Sequence, residues 1–239
     1  MSDLVVITGA SSGIGLALAR GVPFPAVVVD ISRSGPPEDD IEHVKADLSD
    51  PSSWSRVRTE MKRLVAEHDP GRAVFIHAAG TLEPMGFAGE VDFDEYAANV
   101  TLNSASGQVL GSAFLEAVHD RTGTFDIVMI TSGAASSVYP GWSSYGAGKA
   151  ALDQWVRNVG SEQRARGGVR VSAIAPGVVA TSMQSQIREM SERDFPNVER
   201  FQELHDEGRL ADPDDAARKI WDTIEDGVDT GAVTDIRSR

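Results

Sequence analysis

The stretch Leu4-Val5-Val6-Ile7-Thr8-Gly9-Ala10-Ser11-Ser12-Gly13-Ile14-Gly15, running on into Leu16-Ala17-Leu18-Ala19-Arg20, decides how the rest of the chain is read. A short apolar run reads as a buried strand, a glycine-spaced turn follows, and a helical pattern begins at Gly13. Glycines permit a tight turn and let the backbone approach a pyrophosphate. The unpaired amides of a helix N-terminus then offer that group hydrogen bonds and a partial positive charge. Strand, turn and helix in this order predict a dinucleotide site at Gly9, Ser11, Ser12, Gly13, Ile14 and Gly15, where a lone glycine triplet would indicate only a turn.

Working outward, Val- and Ile-rich runs recur at 26–31, 43–46, 73–78, 125–131, 169–175 and 232–236. Helical patterns lie between them, near 13–20, 52–67, 93–118, 143–166 and 213–226. Short apolar runs alternating with longer helical stretches predict an α/β fold, a parallel sheet of about seven strands with helices on both faces. A length of 239 residues and an apolar fraction of 41% fit a single domain over 1–239. The segment 32–40 reads as a surface loop. The segment 177–211 shows no clear order but carries Met183, Ile187, Met190, Phe195 and Phe201, so it reads either as a substrate lid or as two surface helices.

A net charge of -14 repels nucleic acid and anionic membrane surfaces, so neither is expected as a partner. The chain has no cysteine, and His43, His68, His77, His119 and His205 show no ligand-like spacing, so no metal site is expected. No basic start with a long apolar run precedes the first strand, and no apolar stretch reaches spanning length. These features lead us to expect a cytoplasmic protein.

The spacing Thr8-Gly9-x-x-x-Gly13-Ile14-Gly15 resembles the TGxxxGxG turn of the short-chain dehydrogenase/reductase family rather than the tighter GxGxxG version. The resemblance implies a Rossmann-like doubly wound sheet and a bound NAD or NADP. In relatives the end of the second strand selects the cofactor. Here Ser32 falls at the discriminating position with Arg33 beside it, which favours NADP; a shorter turn would put Asp30 there and favour NAD. The resemblance further implies an adenine contact at Asp47-Leu48. His77-Ala78-Ala79-Gly80 stands where the family has NNAG, lining the cofactor with both asparagines replaced.

Tyr145 and Lys149 lie four apart at the start of an apparent helix, so both project from one face. Such a pair is common on solvated helices, and its context makes it informative. Ser132 stands thirteen residues earlier, at the end of the 125–131 strand, the edge where open parallel sheets bind ligands. Thr131-Ser132-Gly133 with Tyr145-Gly146-Ala147-Gly148-Lys149 is similar to the family's Ser and YxxxK set at its usual interval. A phenol with a reference pKa of about 10 needs help to act near neutrality, and a neighbouring ammonium can supply it. The family's fourth member is an asparagine. Asn103, 29 residues before Ser132, fits that interval better than Asn99. Pro176-Gly177-Val178-Val179-Ala180-Thr181 resembles PGxxxT, which implies nicotinamide contacts at Pro176, Gly177, Val179 and Thr181.

Within the family the chain looks most like the branch of sepiapterin reductase and bacterial benzil reductases, on Thr131 to Ala135, Gly141 to Tyr145 and Met183-Gln184. That branch implies NADP(H)-dependent reduction of a small hydrophobic ketone, or oxidation of a secondary alcohol, in a homodimer or homotetramer. The expected substrate wall is Ser132, Trp142, Tyr145, Val178 and Met183, with Met85 as a further candidate. A catalytically silent nucleotide-binding sensor or scaffold is the competing reading. The intact Ser132, Tyr145 and Lys149 set speaks against it, because such a protein has no chemical need of all three.

Overall fold

In the computed structural model, which describes residues 2–238, one sheet of seven parallel strands forms the centre. The strands are β1 (Asp3–Thr8), β2 (Ala26–Ser32), β3 (Glu42–Lys45), β4 (Arg72–His77), β5 (Thr124–Ile130), β6 (Arg170–Ala175) and β7 (Val233–Asp235), in the order β3-β2-β1-β4-β5-β6-β7. The connecting helices are α1 (Gly13–Arg20), α2 (Trp54–His68), α3 (Phe93–Val100), α4 (Gly107–Val118), α5 (Ser143–Arg166), α6 (Ser182–Arg188), α7 (Val198–Asp206) and α8 (Pro213–Glu225). This is the expected single-domain Rossmann-like fold.

Alternation along each strand divides the core between the two faces of the sheet. Leu4 and Val6, Ala73 and Phe75, and Ile127 and Met129 point to the side covered by α2, α4 and α5. Val5 and Ile7, Val74 and Ile76, and Val128 and Ile130 point to the side covered by α1 and α8. Strands buried on both faces hold mostly apolar side chains, which is why the runs were near-continuous rather than alternating in sequence; the buried polar exceptions, among them Asp30 and His77, are hydrogen-bonded. The strand order reverses direction between β1 and β4, and the crevice beyond their C-terminal ends is where such a sheet binds its ligand.

The structure departs from the sequence expectation at the π-helical segment and at the last strand, while 177–211 takes the two-helix form that was one of its two readings. The helical pattern 93–118 is interrupted by a π-helical segment, Thr101–Ser106, between α3 and α4. Thr101 Oγ1 donates to Ala97 O at 2.8 Å and Ser106 Oγ to Leu102 O at 2.7 Å, and such back-bonding competes with the regular ladder and widens the helix locally. The segment 177–211 is ordered as α6 and α7, tied at its base where Val179 bridges Ala211. The last strand is only three residues long, because Ile236–Ser238 turns into a 3-10 helix.

Candidate active site

Every predicted site segment leaves the same edge of the sheet. The turn after β1 meets the segment after β4 and closes a cleft of about 350 Å³ with the end of β2. Gly9 has φ +76, which suits glycine alone, and a Cβ there would stand 2.9 Å from Ala79 Cα. A Cβ on Gly15 would lie 2.3 Å from Gly9 O. The N-terminus of α1 has no side-chain cap and no acidic residue in its first turn, so its amides remain available to an anion. Gly9, Ser11, Ser12, Gly13, Ile14, Gly15, Ser32, Arg33, Asp47, Leu48, Ala78, Ala79 and Gly80 all line this cleft, and Thr181 closes it from the far side. The donor set and the glycine cradle fit a dinucleotide.

At the end of β2 the register pairs Thr8 with Ile31, so Ser32 and Arg33 reach the cleft while Asp30 stops short of it. Asp30 is fully buried and its carboxylate is fully engaged. Oδ1 accepts from Ala10 N at 2.8 Å, and Oδ2 accepts from Ser32 Oγ at 2.6 Å and His43 Nδ1 at 2.9 Å. Arg33 is exposed and carries no carboxylate partner among the described residues.

His77 does not line the cleft, contrary to the sequence expectation. Its ring is fully buried between β1 and the π segment. Thr8 Oγ1 accepts from Ala79 N at 3.2 Å, so its proton goes to His77 Nδ1 at 2.9 Å; Nε2–H then faces Ser106 Oγ at 3.4 Å. The side chain is a structural tie, and the adjacent alanines leave the cleft open.

Burial, reinforced by the charge of Lys149, pushes the His77 imidazole down to about 3. The unfolded chain takes up that proton near about 6.5, before the folded one does. The stability supported by neutral His77 is therefore fully present above about 6.5 and is lost as pH falls toward 3. Going from neutral pH to about 4.5 is expected to cost roughly 2–3 kcal/mol through this residue. Urea unfolding of wild type and His77→Asn at both pH values checks this: the variant should lack that part of the acid slope, and equal slopes would mean the ring is not held neutral.

Ser132, Tyr145 and Lys149 converge beside the cleft. All three line a second cavity of about 260 Å³. Ser132 Oγ accepts from Ala134 N at 3.1 Å, which turns its proton outward. Burial raises the Tyr145 phenol above its ordinary value, and a hydrogen bond from Ser132 opposes that rise. Lys149 Nζ donates to Ile130 O at 3.0 Å and lies 5.8 Å from the centre of the Tyr145 ring. Burial lowers this ammonium to about 8, while the negative charge of Asp153, one turn further along α5, holds it up.

Asn103 lies behind this group, fully buried in the π segment and lining neither cavity. Its side chain holds the backbone of Thr81, donating to O at 2.7 Å and accepting from N at 3.1 Å. A Cβ built on Gly80 would stand 2.9 Å from Asn103 Oδ1 and 3.4 Å from Lys149 Nζ, which places both groups around one point. Asn99, the rival in sequence, accepts from Asn103 Nδ2 at 2.9 Å and donates to Glu83 O at 2.7 Å. The two asparagines form one ladder.

The second cavity continues into an aromatic wall. Trp142 stacks on Phe195 with ring centres 4.6 Å apart and meets the Tyr145 ring edge-on at 5.7 Å. Val178 and Met183 line it as expected, as do Pro176, Gly177, Val179 and Thr181. Met85 does not; it packs behind Leu82, which takes the lining place. Sequence reasoning missed Tyr139, Gln184, Phe201 and two arginines, Arg200 and Arg237. Of these only two had a signal: Phe201, through a faint helical spacing with Phe195 and Val198, and Gln184, which stood in the Met183-Gln184 pair without a site role.

A parallel sheet with a glycine cradle at its switch point, next to a buried phenol and ammonium and a half-buried hydroxyl, is an arrangement suited to nucleotide-dependent oxidoreduction. A profile of the short chain dehydrogenase family matches residues 3–192, and the chain belongs to that family. It is 33% identical over 242 residues to a benzil reductase ((S)-benzoin forming) of Bacillus subtilis, covering 98% of each chain. It is 31% identical over 251 residues to the sepiapterin reductase of Mus musculus, covering 96% of this chain and 95% of the relative. Among solved structures, that of the KRED1-Pglu enzyme superposes with a TM-score of 0.82 at 28% identity, covering 97% of this chain and all of the other. The protein is an oxidoreductase acting on carbonyl or alcohol groups.

Proposed function

We propose that the protein is an NADPH-dependent reductase of small apolar ketones, with Ser132, Tyr145 and Lys149 as its catalytic residues and Asn103 as a positioning residue. The observation that carries this reading is the convergence of the three side chains on an apolar cavity that opens beside the glycine cradle.

When bound, the nicotinamide supplies a hydride to the carbonyl carbon. Ser132, oriented by Ala134 N, donates a hydrogen bond to the carbonyl oxygen. Tyr145 stays protonated at neutral pH because burial disfavours its phenolate, and it gives its proton to the oxygen as charge develops there. Lys149 has two N–H donors left beyond the one spent on Ile130 O; these anchor the ribose, and the ammonium stabilises the phenolate left behind. Asn103 and Asn99 hold the Thr81 backbone against Gly80, which keeps Lys149 in register with the phenol.

The choice of NADP rests on β2. Asp30 is fully engaged by Ala10, Ser32 and His43, so no carboxylate there greets the ribose hydroxyls, whereas Arg33 is free to meet a 2'-phosphate. Arg33→Ala is expected to weaken NADPH about tenfold while leaving NADH within about twofold. Fluorescence titrations of both cofactors measure this, and equal losses would remove Arg33 from the selection.

We read the segment 177–211 as a lid. Backbone bonds from Ala180 N to Ala211 O and from Ala211 N to Val178 O close its base, while α6 and α7 supply Met183 and Phe201 to the cavity wall. Phe93, 82% exposed on α3, together with exposed Val100 and Val109 along the same helical rod, supports assembly with further copies of the chain. No helix is long and apolar enough to cross a membrane among the described residues, and a cysteine-free chain suits the cytoplasm, where we place it. Consumption of NADPH with benzil, followed at the nicotinamide absorbance band, tests the reading; no turnover of any aryl ketone would refute it.

A further inference from the structure

Two arginines from distant parts of the chain reach the wall of the apolar cavity, Arg200 from α7 and Arg237 from the final turn. Their electrostatic situations differ. Arg237 is neutralised by Asp235, which accepts from Nε at 2.9 Å and from Nη2 at 2.6 Å. Arg200 pairs with no carboxylate among the described residues, although Asp and Glu outnumber Lys and Arg by 36 to 22. Its Nη1 donates instead to the Tyr139 hydroxyl at 3.1 Å, and its guanidinium carbon lies 6.0 Å from the centre of that ring.

Tyr139 is part of the aromatic wall, 5.0 Å from the Trp142 ring and 6.1 Å from that of Phe201. A guanidinium held by this ring is kept at the cavity instead of ranging through water. It is a planar donor fork with most of its N–H groups unspent, next to an apolar box large enough for one aromatic ring system. A neutral apolar substrate has no use for such a group. A substrate carboxylate would satisfy it at the rim of the cavity, where Arg200 is itself exposed, so the charge-assisted pair is strengthened by the fork geometry and weakened by salt.

We propose that Arg200, steadied by Tyr139, is a specificity-determining residue that binds a carboxylate carried by the substrate, so that the favoured substrates are apolar, aromatic-sized ketones bearing an acidic group. This rests on the ketone-reductase reading above.

The test compares benzil with its para-carboxy analogue, using NADPH and following absorbance at the nicotinamide band. Wild type is expected to show kcat/KM about tenfold higher for the acid, a preference that shrinks as salt is raised. In Arg200→Gln the ratio should fall to near one, and Arg200→Lys should recover part of it. Parity of the two diketones in wild type, or an undiminished ratio in Arg200→Gln, overturns the proposal. Acetophenone and its para-carboxy analogue, titrated into the NADP-loaded protein by quenching of tryptophan fluorescence, give the same comparison without turnover. If neither diketone is reduced, the reductase reading fails, while the binding ratio still decides whether Arg200 recognises the acid.

Discussion

Replacing Tyr145 by phenylalanine is expected to lower kcat for ketone reduction by about 10²–10⁴-fold while NADPH affinity changes by less than about threefold. The ring of Tyr145 packs against Trp142 with centres 5.7 Å apart, and phenylalanine keeps that contact, so the variant removes a proton donor and little else. Ser132 remains oriented by Ala134 and Lys149 remains anchored on Ile130, so the carbonyl and the cofactor still find their places. What is lost is the acid that quenches the developing alkoxide. Single-turnover reduction and a separate NADPH titration separate the two effects. A variant that retains turnover within about tenfold would take Tyr145 out of the chemistry.

The second large effect is expected at Gly15. An alanine Cβ there would lie 2.3 Å from Gly9 O and 2.8 Å from Gly9 C, and ordinary contact begins near 3.4 Å. Both obstacles are backbone, so no rotamer change relieves them. The turn after β1 and the start of α1 must part by about 1 Å, which breaks two or three of the backbone hydrogen bonds a pyrophosphate would accept there, at about 1 kcal/mol each, or roughly a hundredfold in affinity. Gly15→Ala is therefore expected to lower NADPH affinity about a hundredfold, with a stability loss of about 1–3 kcal/mol from the overpacked contact. Cofactor titration alongside thermal unfolding measures both. Wild-type affinity in a folded variant would mean that the turn does not seat the dinucleotide.

The parts of this molecule that could be read from sequence are those whose physics is local. A strand buried on both faces must be a largely apolar run, which is why β1, β2, β4, β5 and β6 stood out within a residue of their ends; the exposed β3 and the short β7 were placed as closely by the alternation of strands and helices. Ser132, Tyr145 and Lys149 could be grouped from sequence because a strand end and a helix start fix their directions, and the fold brings the three to one cavity. His77 shows the limit of such reading. Its position after β4 was legible, but its withdrawal toward Thr8 and Ser106 depends on where the π segment passes, and that depends on back-bonding by Thr101 and Ser106. Asn99 and Asn103, four apart on one helical face, are hydrogen-bonded partners, where sequence reading presented them as rivals.

The state of Asp30, weighed above as the residue that would select NAD, and the role of Asp153 were not legible for a different reason. A carboxylate consumed by Ala10, Ser32 and His43 looks the same in sequence as one waiting for a ribose. Asp153 matters only because burial drives Lys149 down and a charge one turn away resists it. Arg200 and Arg237 meet at Tyr139 from chain positions 37 residues apart, through packing that no local pattern encodes.

The central claim is that this chain moves a hydride between a nicotinamide and a carbonyl carbon. NADPH carrying deuterium at the transferring position of its nicotinamide, incubated with benzil and the wild-type protein, tests it most directly by mass spectrometry and NMR of the product. The account predicts deuterium on the new carbinol carbon with wild type and almost none with Tyr145→Phe. Deuterium that stays in the cofactor, with benzil recovered unchanged, would contradict it.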